Sequence, residues 1–177
     1  MPNSRPLYIA LGSNVGDRAA TLARAVAEMN RAGLRVLRQS SLYETEPVGG
    51  PPQGWFLNAV VEVETDWPPE RVLHALQEIE RAMGRQRSVA CGPRTLDLDI
   101  LFDGENVIRA GELELPHPRL AQRRFVLVPL AELAPRLIHP VLRKTVAELL
   151  AEIADGAQVR LWKPAAEGAG GDQERES

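Results

Sequence analysis

Apolar positions along this 177-residue chain change their period several times, and each change marks an expected element. Leu7-Tyr8-Ile9-Ala10-Leu11 is an unbroken apolar run, which predicts a buried strand. It stops at Gly12-Ser13-Asn14-Val15-Gly16-Asp17, residues that tolerate positive φ or bond their own backbone, so a tight turn is expected there. Leu22, Val26 and Met29 then recur at helical spacing, with Asp17 placed to cap the helix and Gly33 to stop it. Residues 36–43 predict a second strand, with Val36 and Leu42 in the core. The segment 46–54 is too rich in Pro and Gly for regular structure and reads as a functional loop. Over 55–65, Leu57, Ala59, Val61 and Val63 alternate with Asn58, Val60, Glu62 and Glu64, as in a strand.

Pro68-Pro69-Glu70 opens a second helix, whose stripe is Val72, Leu76, Ile79 and Met83. Residues 95–103 predict another strand, closed by a turn at Asp103-Gly104-Glu105-Asn106. Pro116-His117-Pro118 interrupts regular structure, 126–134 and 146–153 have helical patterns, and 159–162 reads as a last short strand. No apolar periodicity survives in 163–177, which is expected to be a disordered tail behind one domain over 1–162. The order β-α-β-β-α-β through Asp103 predicts an α+β protein, a ferredoxin-like α/β sandwich with a mainly antiparallel sheet.

Composition narrows the function classes. Lys plus Arg total 21 against 24 Asp plus Glu, a net charge of -3, which disfavours nucleic-acid binding by bulk positive charge. No apolar run approaches the ~20 residues that span a bilayer, so no membrane partner is expected. The single Cys91 forms no internal disulfide, in keeping with a cytoplasmic location.

The most informative segment is Gly92-Pro93-Arg94-Thr95-Leu96-Asp97-Leu98-Asp99-Ile100-Leu101. Strand residues two apart share a face, so Asp97 and Asp99 stand together, roughly 6.6 Å apart along the chain, while Leu96, Leu98 and Ile100 face the core. Two neighbouring carboxylates repel unless a cation lies between them, and hard divalent ions prefer such oxygen ligands. By itself an Asp-x-Asp pair reads as the solvated face of an amphipathic strand. Just before it, however, Arg81, Arg85, Arg87 and Arg94 fall in a window with no acidic residue, and guanidinium forks suit phosphate oxygens. Together the features point to a Mg²⁺–nucleotide triphosphate. Pro116-His117-Pro118-Arg119 and Arg123-Arg124-Phe125 form a second cationic group, with His117 as a candidate phosphate donor.

These pieces resemble the 6-hydroxymethyl-7,8-dihydropterin pyrophosphokinase family of folate synthesis. The matching segments are Tyr8 to Asn14, Ser41 to Gly49, Phe56-Leu57-Asn58-Ala59, Gly92 to Leu101, and Pro116 through Leu130, in the family's order over roughly residues 7 to 162. The resemblance implies transfer of pyrophosphate from ATP to the pterin hydroxymethyl group, with AMP released. It implies two Mg²⁺ ions on Asp97 and Asp99, with Arg85 and Arg94 as further catalytic residues. It places the pterin against Thr45, Pro47, Val48 and Asn58, between Phe56 and Phe125. Gln77, Arg85, Arg87, Arg94, His117 and Arg123 would surround the triphosphate, while Leu73, Ile100 and the stretch around Leu113 would border the adenine. Glu80 matches a family glutamate and is carried as a site-supporting residue. Ala90-Cys91 stand where the family can carry Arg-Trp, and Ser88 where it can carry lysine.

No Ser, Cys or Thr sits in a nucleophile motif, so direct in-line attack by the substrate hydroxyl on the β-phosphorus is expected. The loops 46–54 and 85–91 are expected to close over ATP. The alternatives are a metal-dependent phosphohydrolase using the same aspartates, and a ferredoxin-like RNA-binding module. A monomer is expected, with a weak homodimer as the other possibility.

Overall fold

The computed structural model describes residues 5–47, 53–84, 95–154 and 156–164. The first strand outruns its apolar core: β1 spans Arg5–Ser13 because neighbours pair with both of its edges, so Gly12 and Ser13 stay in the ladder rather than opening the turn. α1 (Arg18–Ala32) begins where the Asp17 carboxylate accepts from the Ala20 N–H at 3.1 Å, and ends at Gly33 with φ 111. β4 (Phe56–Thr65), α2 (Pro69–Ala82) and β5 (Asp97–Asp103) follow the expected pattern within a few residues.

One expected strand is two. β2 (Arg35–Gln39) and β3 (Tyr43–Thr45) replace the single strand over 36–43, and both run antiparallel to β4. Between them the Ser40 N–H donates to the Val60 carbonyl, and the Ser40 hydroxyl accepts from the Val60 N–H, both at 2.9 Å. A buried side chain thus takes over from backbone pairing where the ladder is interrupted. The hairpin of β6 (Ile108–Ala110) and β7 (Leu113–Leu115) was not expected; strands of three residues are too short to show a period. α3 (Arg124–Leu133), α4 (Val146–Glu152) and β8 (Val159–Leu161) complete the chain, and α4 is opened by a Thr145–Glu148 capping box.

The main sheet has the order β5-β1-β4-β3-β8, with β2 also on β4 and every pairing antiparallel. This is the ferredoxin-like arrangement, with β1 and β4 at its centre. On one face Leu7, Ile9, Leu11, Leu57, Val61, Leu98 and Ile100 pack against α1 and α2 residues such as Met29, Val72 and Leu76. On the other, Tyr8, Val60, Leu101 and Phe102 pack against Val126, Leu127 and Leu130 of α3 and Val146 and Leu149 of α4. Beyond Tyr8 and Val60 that second face carries Ala10, Gly12, Asn58, Asp97 and Asp99, and there it opens into a cleft. No helix among the described residues is long and apolar enough to cross a membrane. Most of the expected tail, from residue 165 on, lies outside the described residues.

His139 ties the turn before α4 to the second core. Its ring meets Phe102 edge-on at 5.7 Å, and its Nδ1 accepts from the N–H groups of Val141 (3.2 Å) and Leu142 (3.1 Å), which requires the neutral imidazole. Burial pushes its pKa below the ordinary 6.5. The unfolded chain therefore takes up a proton that the folded chain refuses, and stability is full above the unfolded value of 6.5 and declines as pH falls toward the lowered folded one. Thermal unfolding between about pH 8 and about pH 5 should show Tm dropping at the acid end. His139→Gln should flatten part of the drop, since His117 is shifted the same way. An unaltered acid slope in the variant would remove His139 as a cause.

Candidate active site

Residues paired across an antiparallel ladder point to the same face. Gly12 of β1 is paired with Asp97 on one side and with Asn58 on the other, and Asn58 is paired in turn with Tyr43. One row across four strands therefore reads Asp97, Gly12, Asn58, Tyr43, and the next reads Asp99, Ala10, Val60. The middle of each row is small. At Gly12 this is obligatory: a Cβ there would stand 2.6 Å from Asn58 Oδ1, so the absent side chain is the space the Asn58 amide occupies.

Asp97 is half-buried and Asp99 exposed, both on the cleft side of β5. Between them the Leu98 N–H points to the outer edge of the strand, where the buried Glu80 carboxylate of α2 accepts it at 2.8 Å. The backbone linking the two aspartates is thus fixed by a charge-assisted bond from the layer behind the sheet.

Further along the row, the Asn58 amide donates to Thr45 Oγ1 at 2.7 Å, and both side chains are buried. Phe56 and Phe125 line the same cleft with Pro47 and Gln53, and the Arg123 guanidinium lies 5.5 Å from the Phe125 ring centre. The Asn14 amide holds Gln53 Oε1 at 2.7 Å and the Gly54 carbonyl at 3.2 Å, tying the approach to Phe56 to the end of β1. Aromatic side chains and a buried amide lining one cleft suit a flat heterocycle with a polar edge.

His117, Arg119 and Arg123 reach the cleft from the segment before α3. His117 is anchored by its N–H to the Leu101 carbonyl at 3.0 Å, and its Nδ1 accepts from the Arg119 N–H at 3.2 Å, leaving Nε2 as the donor. Burial first, and then Arg123 and Arg119, hold its pKa below the ordinary value, while Asp99 and Glu114 push the other way. His117 therefore offers a neutral N–H beside two cationic side chains, a set suited to phosphate oxygens.

The cleft, ≈ 1040 Å³, brings together Thr45, Pro47, Phe56, Asn58, Asp97, Asp99, His117, Arg123 and Phe125 of the residues singled out in the sequence. Leu73, Gln77 and Ile100 do not line it. Ile100 and Leu73 lie in the core behind the sheet with Leu113 of β7, at the β5 edge where α2 and β7 meet. Val48, Arg85, Arg87 and Arg94 lie outside the described residues, as do parts of both loops expected to close. Sequence reasoning missed Gly12, Gln53, Gln122 and the Glu152–Ile153–Ala154 end of α4 as cleft residues. Gly12 could be found only from the strand register, and residues 152–154 carry no local signal.

Residues 8–135 match the family described as 7,8-dihydro-6-hydroxymethylpterin-pyrophosphokinase. The chain is 44% identical over 157 residues to the 2-amino-4-hydroxy-6-hydroxymethyldihydropteridine pyrophosphokinase of Bacillus subtilis, covering 88% of this chain and 89% of that protein. It is 40% identical over 153 residues to the folic acid synthesis protein fol1 of Pneumocystis carinii, covering 86% of this chain but only 21% of that longer protein. Among solved structures, the wild-type HPPK-DHPS of Plasmodium falciparum with pteroate superposes with a TM-score of 0.69 at 17% identity, covering 84% of this chain and 42% of that one, a likeness of fold.

Proposed function

Because the chain belongs to the 7,8-dihydro-6-hydroxymethylpterin-pyrophosphokinase family, we propose that it transfers pyrophosphate from ATP to the hydroxymethyl group of 6-hydroxymethyl-7,8-dihydropterin and releases AMP. The observation that supports the reading is the row Asp97–Gly12–Asn58, which puts a carboxylate of β5 and an amide of β4 on one sheet face, either side of β1, with Asp99 in the next row.

The pterin lies between Phe56 and Phe125, and Asn58 and Thr45 meet its polar edge. Pro47 lines the same cleft, and the family resemblance assigns Val48 to the pterin as well. Asp97 and Asp99 hold two Mg²⁺ ions; their all-oxygen donor set, on a face open to the cleft, fits that ion. When bound, Mg²⁺ neutralises charge on the transferring phosphates. The family resemblance assigns His117, Arg123, Gln77, Arg85, Arg87 and Arg94 to the triphosphate, and Leu73, Ile100 and the stretch around Leu113 to the adenine.

The pterin hydroxyl oxygen forms a bond to the β-phosphorus as the bond from that phosphorus to the α–β bridging oxygen breaks. The pair of electrons leaves on AMP, and the hydroxyl proton is lost to solvent. The protein contributes orientation, through the rigid row, and positive charge, through its arginines.

The test is incubation of the purified chain with ATP, Mg²⁺ and the pterin alcohol. AMP should form in step with pterin diphosphate, and only when the pterin is present. ADP, or phosphate released without the pterin, would favour a phosphohydrolase and overturn the reading. Against an RNA-binding module, α3 and α4 cover much of the sheet face that such a module keeps open.

A further inference from the structure

We propose that Glu132 is a positioning residue that sets the width of the ring slot by tying α3 to β3. The inference rests on the pterin-site reading above.

α3 carries Phe125 in its first turn and Glu132 seven residues later, about two turns further along the same face. Phe125 is a wall of the cleft. The Glu132 carboxylate instead reaches across to the strand opposite. It accepts the Ser41 N–H at 3.1 and 3.0 Å, the Ser41 hydroxyl at 3.1 Å, and the Tyr43 hydroxyl at 2.5 Å. Two residues beyond Tyr43, on the same face of β3, is Thr45, which takes the Asn58 amide. One helix therefore bears the aromatic wall at one end and the anchor of the facing polar wall at the other.

β3 is three residues long, a strand short enough for its position to depend on what holds its ends. Its opposite face is tied within the sheet and to α1, by Glu44 to Arg160 and to Arg18, both at 2.9 Å. Those ties fix β3 among its neighbours but not relative to α3. The Glu132 contacts do that. Burial, and then the carboxylate, push the Tyr43 hydroxyl up to about 12, so it remains a donor throughout the working range of pH. A slot that widens by a fraction of an ångström loses stacking on one ring face and misplaces the hydroxymethyl group against ATP.

Steady-state kinetics test this with Glu132→Ala, Glu132→Gln, Tyr43→Phe and, as control, Arg38→Gln, which breaks an exposed ion pair between β2 and β4 without touching β3. Glu132→Ala should raise KM for the pterin about ten-fold and leave KM for ATP within about two-fold. Tyr43→Phe should give a smaller rise of the same kind. Glu132→Gln keeps an acceptor oxygen for the Tyr43 hydroxyl and should recover most of the loss. Arg38→Gln should not change either KM. Should Glu132→Ala fail to fold, Tyr43→Phe decides by the same readout. An unchanged pterin KM, an equal rise for both substrates, or the same rise in Arg38→Gln would overturn the clamp while the pyrophosphokinase reading stands. A wild-type chain that forms no AMP would overturn both.

Discussion

Asp97→Asn should lower turnover by about a thousand-fold, or about 4 kcal/mol of transition-state stabilisation, while pterin affinity stays near that of the wild type. The substitution keeps the shape of the side chain and removes its charge. Gly12 of β1 stands between Asp97 and Asn58 in their row, so the substitution should leave the proposed ring pocket untouched. The Glu80 bond to the Leu98 N–H also survives, so β5 should hold its place and Tm should change little. A Mg²⁺ titration of the residual activity should shift to higher concentration. Wild-type turnover in this variant would remove the acidic pair from the site.

Asn58→Ala should raise KM for the pterin about a hundred-fold, about 2.7 kcal/mol, with KM for ATP little altered. The loss has two sources. The amide no longer meets the ring edge, and the buried Thr45 hydroxyl loses the partner that orients it. Gly12→Ala should produce a loss of the same kind with the Asn58 chemistry intact, because the new Cβ would stand 2.6 Å from Asn58 Oδ1 and displace it. Since both variants act on one amide, combining them should cost little more than either alone. Fluorescence titration with the pterin reads the effect directly. Wild-type affinity in Gly12→Ala would show that the close approach has no part in binding.

Much of the fold was legible because local rules and tertiary packing agree. Asp17 and Gly33 bound α1 by chemistry that operates within a few residues, and the alternation along β4 survives because each of its faces meets a different core. The divided β2 and β3 were not legible. Ser40 is polar and gives no sign of being buried, and its exchange of bonds with Val60 depends on a strand twenty residues away in sequence. The β6–β7 hairpin escaped for a different reason, since three residues per strand cannot display a period.

The candidate site divides in the same way. Asp97 and Asp99 announce themselves by their spacing, because two-residue periodicity is a property of any strand. Phe56 and Phe125 do not. As isolated aromatics they read as core, and the resemblance to a known family, rather than their own pattern, brought them forward. Glu132 is further from view: one carboxylate near the end of an apolar helix, with partners some ninety residues earlier in the chain.

From the residues alone come the order of the longer helices and strands, the ends of α1, and the presence of an acidic pair facing away from the core. All follow from backbone sterics, capping and side-chain alternation, which act over a few residues. Register is different in kind. That Gly12 stands between Asp97 and Asn58, and that α3 is tied to β3, depends on which distant strands pair and how the second helical layer docks. A strand displaced by one residue would keep every local preference and turn each of those side chains to the opposite face, so only the packed sheet, with both cores filled, selects the arrangement in which the site exists.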